Sequence, residues 1–199
     1  MKYILGKKLE MSQVYGPDGS IIPVTLIKAG PCYVTNVMTK DRNGYEAVQI
    51  GFETVKHLNK PEAGHLKDLP KLRHMVEFRA EGLTATRGDM IEAKAFEVGD
   101  VVQVIGESKG KGFQGVVKRH GFHGHPSSHG HKDQERMPGS IGAGGVQHVL
   151  KGRRMAGHMG SDRVTVKNLK VIEVREDGII ALKGAVPGAR NTIIQIQSV

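Results

Sequence analysis

Apolar and polar positions alternate in short runs along most of this chain, and the alternation predicts strands. Val48, Ile50 and Phe52 fall on one face of an extended segment, with Gln49 on the other. Val164 and Val166 alternate with Thr165 and Lys167, and Ile194 and Ile196 with Gln195 and Gln197. Further strands are expected at 22–28, where Pro23 marks a start or an edge, and at 33–39, 76–79 and 101–105. A weaker candidate lies at 90–96. Turn chemistry separates the runs. Gly16-Pro17-Asp18-Gly19 joins a preset φ to glycines that accept conformations closed to other residues. Asp41-Arg42-Asn43-Gly44 and Asp177-Gly178 read as hairpin signals, 98–100 as a turn and 184–188 as a loop. Near Val171-Ile172 the alternation slips by one residue, as a β-bulge would make it. No amphipathic helix of three turns is legible. Short strands at this spacing predict a mostly β protein, an antiparallel barrel or a sandwich.

Two stretches break the pattern. Residues 53–75 are polar and basic and read as a surface insertion, with a short helix starting at Pro61. Residues 106–160 follow no period for long. They hold 14 of the 27 glycines and 7 of the 10 histidines. So little apolar surface cannot build a core of its own, and the stretch is too long for an ordinary connection. The expected organisation is therefore a β core of residues 1–105 and 161–199, carrying the 53–75 insertion. Residues 106–160 begin and end on strands and should project as an arm.

Charge shows what would order that arm. The chain has 199 residues and a formal charge of +9. Nine Lys/Arg against three acids give 106–160 a charge of +6. A basic segment without a core calls for an anionic partner, nucleic acid ahead of an anionic membrane surface. No run approaches the ~20 apolar residues of a membrane span. The N-terminus has neither an apolar signal core nor transit-peptide composition, and it reads as mature. Cys32 is the single cysteine, so no internal disulfide or cysteine zinc knuckle is available and a reducing, intracellular setting fits. Its simplest role is a small residue near a strand end. Trp is absent, which argues against base stacking as the main binding mode.

Several motifs invite catalytic readings. Gly110-Lys111-Gly112-Phe113-Gln114-Gly115 matches G-x-G-x-x-G and follows a strand. A dinucleotide fold needs a full helix next, whereas 116–119 allow about one turn before Gly121 and Pro126. The residues after Gly106 do not make a P-loop. His120, His123, His125, His129 and His131 form a tract that an exposed zinc or nickel ion would accept in vitro. Flexible glycines hold ligands poorly, so hydrogen bonding to phosphate and 2′-hydroxyl groups fits better. A polyanion would add partial positive charge by raising the imidazole pKa. Ser127, Ser128 and Ser140 lack a nucleophile elbow, so no hydrolase is expected. No cofactor is expected. The basic cluster is the stronger signal: Lys109, Lys111, Lys118, Arg119, Lys132, Arg136, Lys151, Arg153 and Arg154 are spread through glycine. Glycine lets backbone N–H groups approach phosphates while Lys and Arg supply charge. Embedded Phe113, Phe122, Met137, Ile141, Val149, Leu150, Met155 and Met159 point to defined packing rather than a plain linker.

These residues resemble the bacterial form of ribosomal protein L three. The matching pieces run along nearly the whole chain. They include Gly6-Lys7-Lys8 with Met11, Asp18-Gly19, Pro23-Val24-Thr25, Lys60-Pro61-Glu62-Ala63-Gly64-His65 and Glu77-Phe78-Arg79. The most specific are Ser108-Lys109-Gly110-Lys111-Gly112-Phe113 with Gly115, Val117-Lys118-Arg119, Pro138-Gly139-Ser140-Ile141-Gly142 and Met155-Ala156-Gly157-His158-Met159-Gly160. Arg163-Val164-Thr165 and Gly184-Ala185-Val186-Pro187-Gly188 complete the set, in the family's order. The resemblance implies a six-stranded barrel of the translation-factor kind with a long extension toward the peptidyl-transferase region. It implies a structural protein, not an enzyme, that binds 23S-type rRNA near its 3′ end and nucleates large-subunit assembly. It implies neighbours from the L fourteen and L nineteen families and a cytoplasmic or organellar ribosome. The RNA-binding residues it suggests are the nine cations above with Gly110, Gly112, His120, His123, His125, His129, Ser140 and His158, joined by Lys7, Lys8 and Arg163. Two positions depart from the pattern. Glu10 stands where the family often has glycine, so a different turn is expected there. The tip, Ala143-Gly144-Gly145-Val146, lacks the glutamine that some members methylate. Gln147 is out of register with it, so that modification is not expected.

Overall fold

The computed structural model describes residues 2–79 and 85–198. It divides into two compact units, Met1–Glu107 with Arg163–Val199, and Ser108–Asp162. In chain order the strands are β1 (Tyr3–Tyr15), β2 (Ile21–Ala29), β3 (Cys32–Met38), β4 (Ala47–Thr54), β5 (Leu72–Arg79), β6 (Met90–Ile91), β7 (Val101–Glu107), β8 (Phe113–Gln114), β9 (Gly157–His158), β10 (Arg163–Val174), β11 (Ile179–Lys183) and β12 (Ile193–Ser198). The helices α1 (Lys40–Asn43), α2 (Lys60–His65) and α3 (Val116–His120) are each one or two turns long.

Six strands close into an antiparallel barrel in the order β1-β12-β7-β10-β11-β2, as the resemblance implied. The period-two alternation explains what fills it. Ile194 and Ile196 of β12, Val102 and Val104 of β7, and Ile180 and Leu182 of β11 are fully shielded from water, joined by Ile4, Leu5 and Ile27. Burying each large aliphatic side chain contributes about 1.5–3 kcal/mol. The expected slip in β10 is a register shift between Val171 and Glu173. A second shift, between Val166 and Leu169, accompanies Asn168 at φ +60°, a conformation that asparagine tolerates. Asp177-Gly178 turns β10 into β11, with Gly178 at φ +78° and its N–H donating to the Arg175 carbonyl.

The remaining strands of this unit form a second sheet, β5-β4-β3-β6. Alternation alone did not separate it from the barrel, because the buried faces of both feed one apolar core. Tyr3 of β1 packs on Phe78 of β5 with ring centroids 4.6 Å apart. Four expectations change in detail. The 41–44 signal is a single helical turn, α1, closed by Gly44 at φ +78°. Residues 90–96 make only a two-residue strand and then a 3-10 turn at Ala93–Ala95. A threefold period places the buried Ala93 and Phe96 on one side, which a strand would not. Within 53–75, β4 runs to Thr54 and β5 starts at Leu72; α2 between them carries an Asn59/Glu62 capping box, and Leu66 is buried. Glu10 forms no turn. β1 runs straight through it at a register shift after Lys8, and Glu10 pairs with Arg190 at 3.0 Å.

Candidate nucleic-acid interface

The unit Ser108–Asp162 is built from its two ends inward. Backbone bonds join Ser108 N–H to the Asp162 carbonyl at 2.9 Å, Lys111 N–H to Met159 O at 2.9 Å, and Met159 N–H to Gly112 O at 3.0 Å. Beyond them β8 pairs with β9, Phe113 opposite His158 and Gln114 opposite Gly157. The G-x-G-x-x-G glycines therefore flank a two-residue strand ladder, with Gly115 at the N-cap of a short helix. The helix that follows is α3, five residues long and ended by Gly121 in the left-handed conformation. This is not the geometry of a dinucleotide fold, whose glycines open a full helix.

Glycine is required where the chain crosses itself. A Cβ on Gly160, at φ +82°, would lie 2.2 Å from the Lys109 carbonyl oxygen. One on Gly124, at φ +72°, would lie 1.9 Å from the Glu135 carbonyl oxygen. Next to these crossings, Arg119 donates to the Met155 carbonyl at 2.6 Å, and the His120 ring nitrogen Nε2 lies 3.0 Å from the same oxygen. Two of the sequence-derived candidates thus converge on one backbone group and brace the unit. Nothing in their spacing to Met155 signalled this.

Past that point the backbone has no ladder. His125 N–H donates to the Glu135 carbonyl, and the His125 and His131 rings stack with centroids 5.4 Å apart. Among the described residues no group of three or more His, Cys, Asp or Glu is placed to hold a metal. Ser140 Oγ donates to Gly142 O at 2.9 Å, and Arg153 donates to the Ser140 carbonyl. A 3-10 turn at Gly144–Val146 leads to Gln147 at φ +57°, and His148 Nδ1 lies 2.7 Å from Val146 O. Val116 and Gly160 are the buried residues of the unit, whereas Phe113, Met137, Ile141, Val149 and Leu150 are exposed.

Most of the unit's cations stand in solvent. Lys109, Lys111, Lys118, Lys132, Arg136, Lys151, Arg153, Arg154 and His158 are exposed, as are His123 and His129, with Arg119 and His120 half-buried. Among the described residues, none of the unit's nine Lys/Arg forms an ion pair with a carboxylate. The candidates outside the unit behave differently. Lys7 Nζ pairs with Glu53 at 2.9 Å, and Lys8 Nζ donates to the Val186 and Gly188 carbonyls at 2.9 and 3.0 Å. Arg163 is exposed at the start of β10. Glu53 has φ +61°, and Lys7's hydrogen bond holds its carboxyl below the ordinary carboxylate range. Its Oε2 is buried and faces His74 at 3.5 Å and Arg73 at 4.0 Å. Burial, then the charge of Arg73, pushes His74 below its ordinary value. Burial also pushes the Cys32 thiol up to about 12, which removes it as a nucleophile at neutral pH.

A closed six-stranded barrel carrying a glycine-rich basic unit, whose Lys and Arg have no carboxylate partner among the described residues, defines the class. Comparison with known proteins narrows this class. Residues 62–179 match the family profile of Ribosomal protein L3. The chain is 49% identical to Large ribosomal subunit protein uL3 of Herpetosiphon aurantiacus, covering 97% of this chain and 94% of that one. It is 52% identical to uL3 of a Roseiflexus species, over 98% and 95% of the two chains. It is 45% identical to uL3c of Guillardia theta, over 98% of each. The chain belongs to the ribosomal protein L3 family, whose members are structural and not enzymatic.

Proposed function

We propose that this protein is a structural constituent of the large ribosomal subunit and acts in translation within the ribosome. It binds 23S-type rRNA directly near the 3′ end through Ser108–Asp162 and helps nucleate subunit assembly. The unit's tip reaches toward the peptidyl-transferase region, where the chemistry belongs to the RNA. Neighbouring proteins come from the L fourteen and L nineteen families. The observation that carries this reading is the set of nine Lys/Arg with no carboxylate partner among the described residues, in a unit that buries almost nothing. An uncompensated cationic surface gains most from a polyanion, by releasing its condensed counterions. The exposed lysines and arginines neutralise phosphates, while His123, His125, His129, His158 and Ser140 supply hydrogen bonds. Gly110 and Gly112 let the backbone come close to the RNA. Arg119 and His120 hold the unit's shape, and Lys7 and Lys8 add field more than direct contact.

A salt series tests this. The full chain and a variant with residues 110–158 replaced by a short Gly-Ser linker are titrated against a large-subunit rRNA 3′-domain fragment. With ~5 phosphates neutralised, log K falls against log salt with a slope of roughly −3.5 to −4.5. The replacement should weaken binding and flatten the slope while the barrel stays folded. Equal affinity and slope for the two proteins would overturn the assignment of RNA binding to this unit.

A further inference from the structure

One part of the barrel unit has the opposite chemistry. Pairing of β1 with β12 ends at Lys7 opposite Ile193, but pairing with β2 continues to Tyr15 opposite Ile21. β2 in turn pairs with β11 only as far as Val24. Residues 10–23 therefore outrun the barrel as a two-stranded ribbon, whose outer edges have no strand partner among the described residues. Opposed residues share a face, so Met11, Gln13, Tyr15, Ile21 and Pro23 lie together. Met11, Tyr15 and Ile21 are 54%, 67% and 59% exposed. No side chain on that face carries a charge.

The ribbon holds no Lys, Arg or His, and its ionisable groups beyond Tyr15 are Glu10 and Asp18. In a chain of +9 this segment is −2. Phosphates would meet the Asp18 carboxylate there and find no cation within the ribbon from which to release counterions. An apolar face and an open strand edge instead gain from burial against another polypeptide. We infer that the ribbon of residues 10–23 is a protein-docking surface, and that it takes a basic protein neighbour presenting an apolar patch or an extended segment fringed by Lys or Arg. Asp18 complements that fringe and steers the encounter, whereas Glu10 is already paired with Arg190 at 3.0 Å.

The test rests on the ribosomal reading and separates the two. A photoreactive benzoylphenylalanine replaces Tyr15 in the full chain, and large subunits are purified by sedimentation and irradiated. A chain absent from the particle would refute the ribosomal reading itself. With the chain present, the expected product is an adduct to one basic protein of the same subunit. In parallel, Tyr15→Glu with Ile21→Glu should weaken retention of that protein by roughly tenfold or more, because buried aromatic anchors dominate interfaces. The same variant should bind the rRNA fragment as the parent does, since both changes lie on exposed positions beyond the barrel. An adduct to rRNA, an adduct to a second copy of this chain, no adduct, or unchanged retention in the double variant would overturn the inference.

Discussion

Gly160→Ala probes the crossing at the base of the cationic unit. Two costs add there. Alanine at φ +82° occupies the left-handed region, at about 1–2 kcal/mol. The new Cβ also meets the Lys109 carbonyl oxygen at 2.2 Å, with Gly110 Cα at 2.9 Å and Lys111 N at 3.0 Å. All three are backbone atoms of the segment that hydrogen-bonds Met159, so they cannot rotate away as a side chain would. Overpacking of this kind costs about 1–3 kcal/mol. The sum is about 2–5 kcal/mol, felt locally, because the barrel's core lies in the other unit. Native-state hydrogen exchange reads it directly. The Lys111 and Met159 amides should exchange roughly thirtyfold to several thousandfold faster, up to complete loss of protection, while Ile194 stays unchanged. Two controls separate the costs. Gly139 has φ +75° and open space around it, so Gly139→Ala carries only the dihedral penalty. Gly142 has neither constraint, so Gly142→Ala should be neutral or slightly stabilising. Exchange at Lys111 in Gly160→Ala equal to that of the parent or of Gly139→Ala would refute the packing argument.

The cluster of Lys7, Glu53, Arg73 and His74 should make the barrel unit acid-sensitive in two stages. His74 is depressed below 6.5, so the unfolded chain takes up that proton first and stability falls as pH drops below 6.5. Glu53 is depressed below 4.5, so its contribution is present above 4.5 and is lost as pH falls through the folded value. Glu53→Gln should cost under about 1 kcal/mol at neutral pH and flatten the lower stage, measured as urea midpoints at fixed ionic strength. Identical pH slopes for parent and variant would contradict this assignment. Cys32, buried at the start of β3, should resist iodoacetamide at pH 8 in native protein and alkylate fully in denaturant, followed by mass spectrometry. Rapid native alkylation would show that the strand end opens.

The barrel's strands were legible because several carry a period-two pattern, but that pattern fitted a sandwich equally, and only the resemblance implied a six-stranded barrel. Ile194 and Ile196 against Gln195 and Gln197 need no tertiary information to be read. The slip at Val171 was visible for the same reason. What alternation cannot express is which sheet a strand joins, so β3, β4 and β5 were readable as strands but not as a second sheet. The 90–96 reading failed because Ala93 and Phe96 satisfy burial at a spacing of three, too brief to stand out from a strand. In the cationic unit, composition announced the charge, and the glycine count announced close approaches. It did not say which glycines lie at crossings, or that Arg119 and His120 turn inward to Met155. Those depend on contacts between residues 36 and 35 positions apart, and no local pattern encodes them. Lys7 is a similar case, since its partner Glu53 lies 46 positions away.

Glu107 and Arg163 stand opposite each other in the β7–β10 ladder, so everything between them leaves and returns through one rung. The barrel already holds these two ends together and fixes the entropy of closing that loop. Loop-closure entropy grows only with the logarithm of length, and doubling the excursion would cost about 0.6 kcal/mol. Insertions or deletions in the exposed middle of 123–154 leave every barrel register untouched. The cationic segment is thus a length-tolerant cassette inserted at one rung of the β7–β10 ladder. Its reach can drift between relatives at almost no expense in fold stability, while its two end residues cannot move without breaking the barrel.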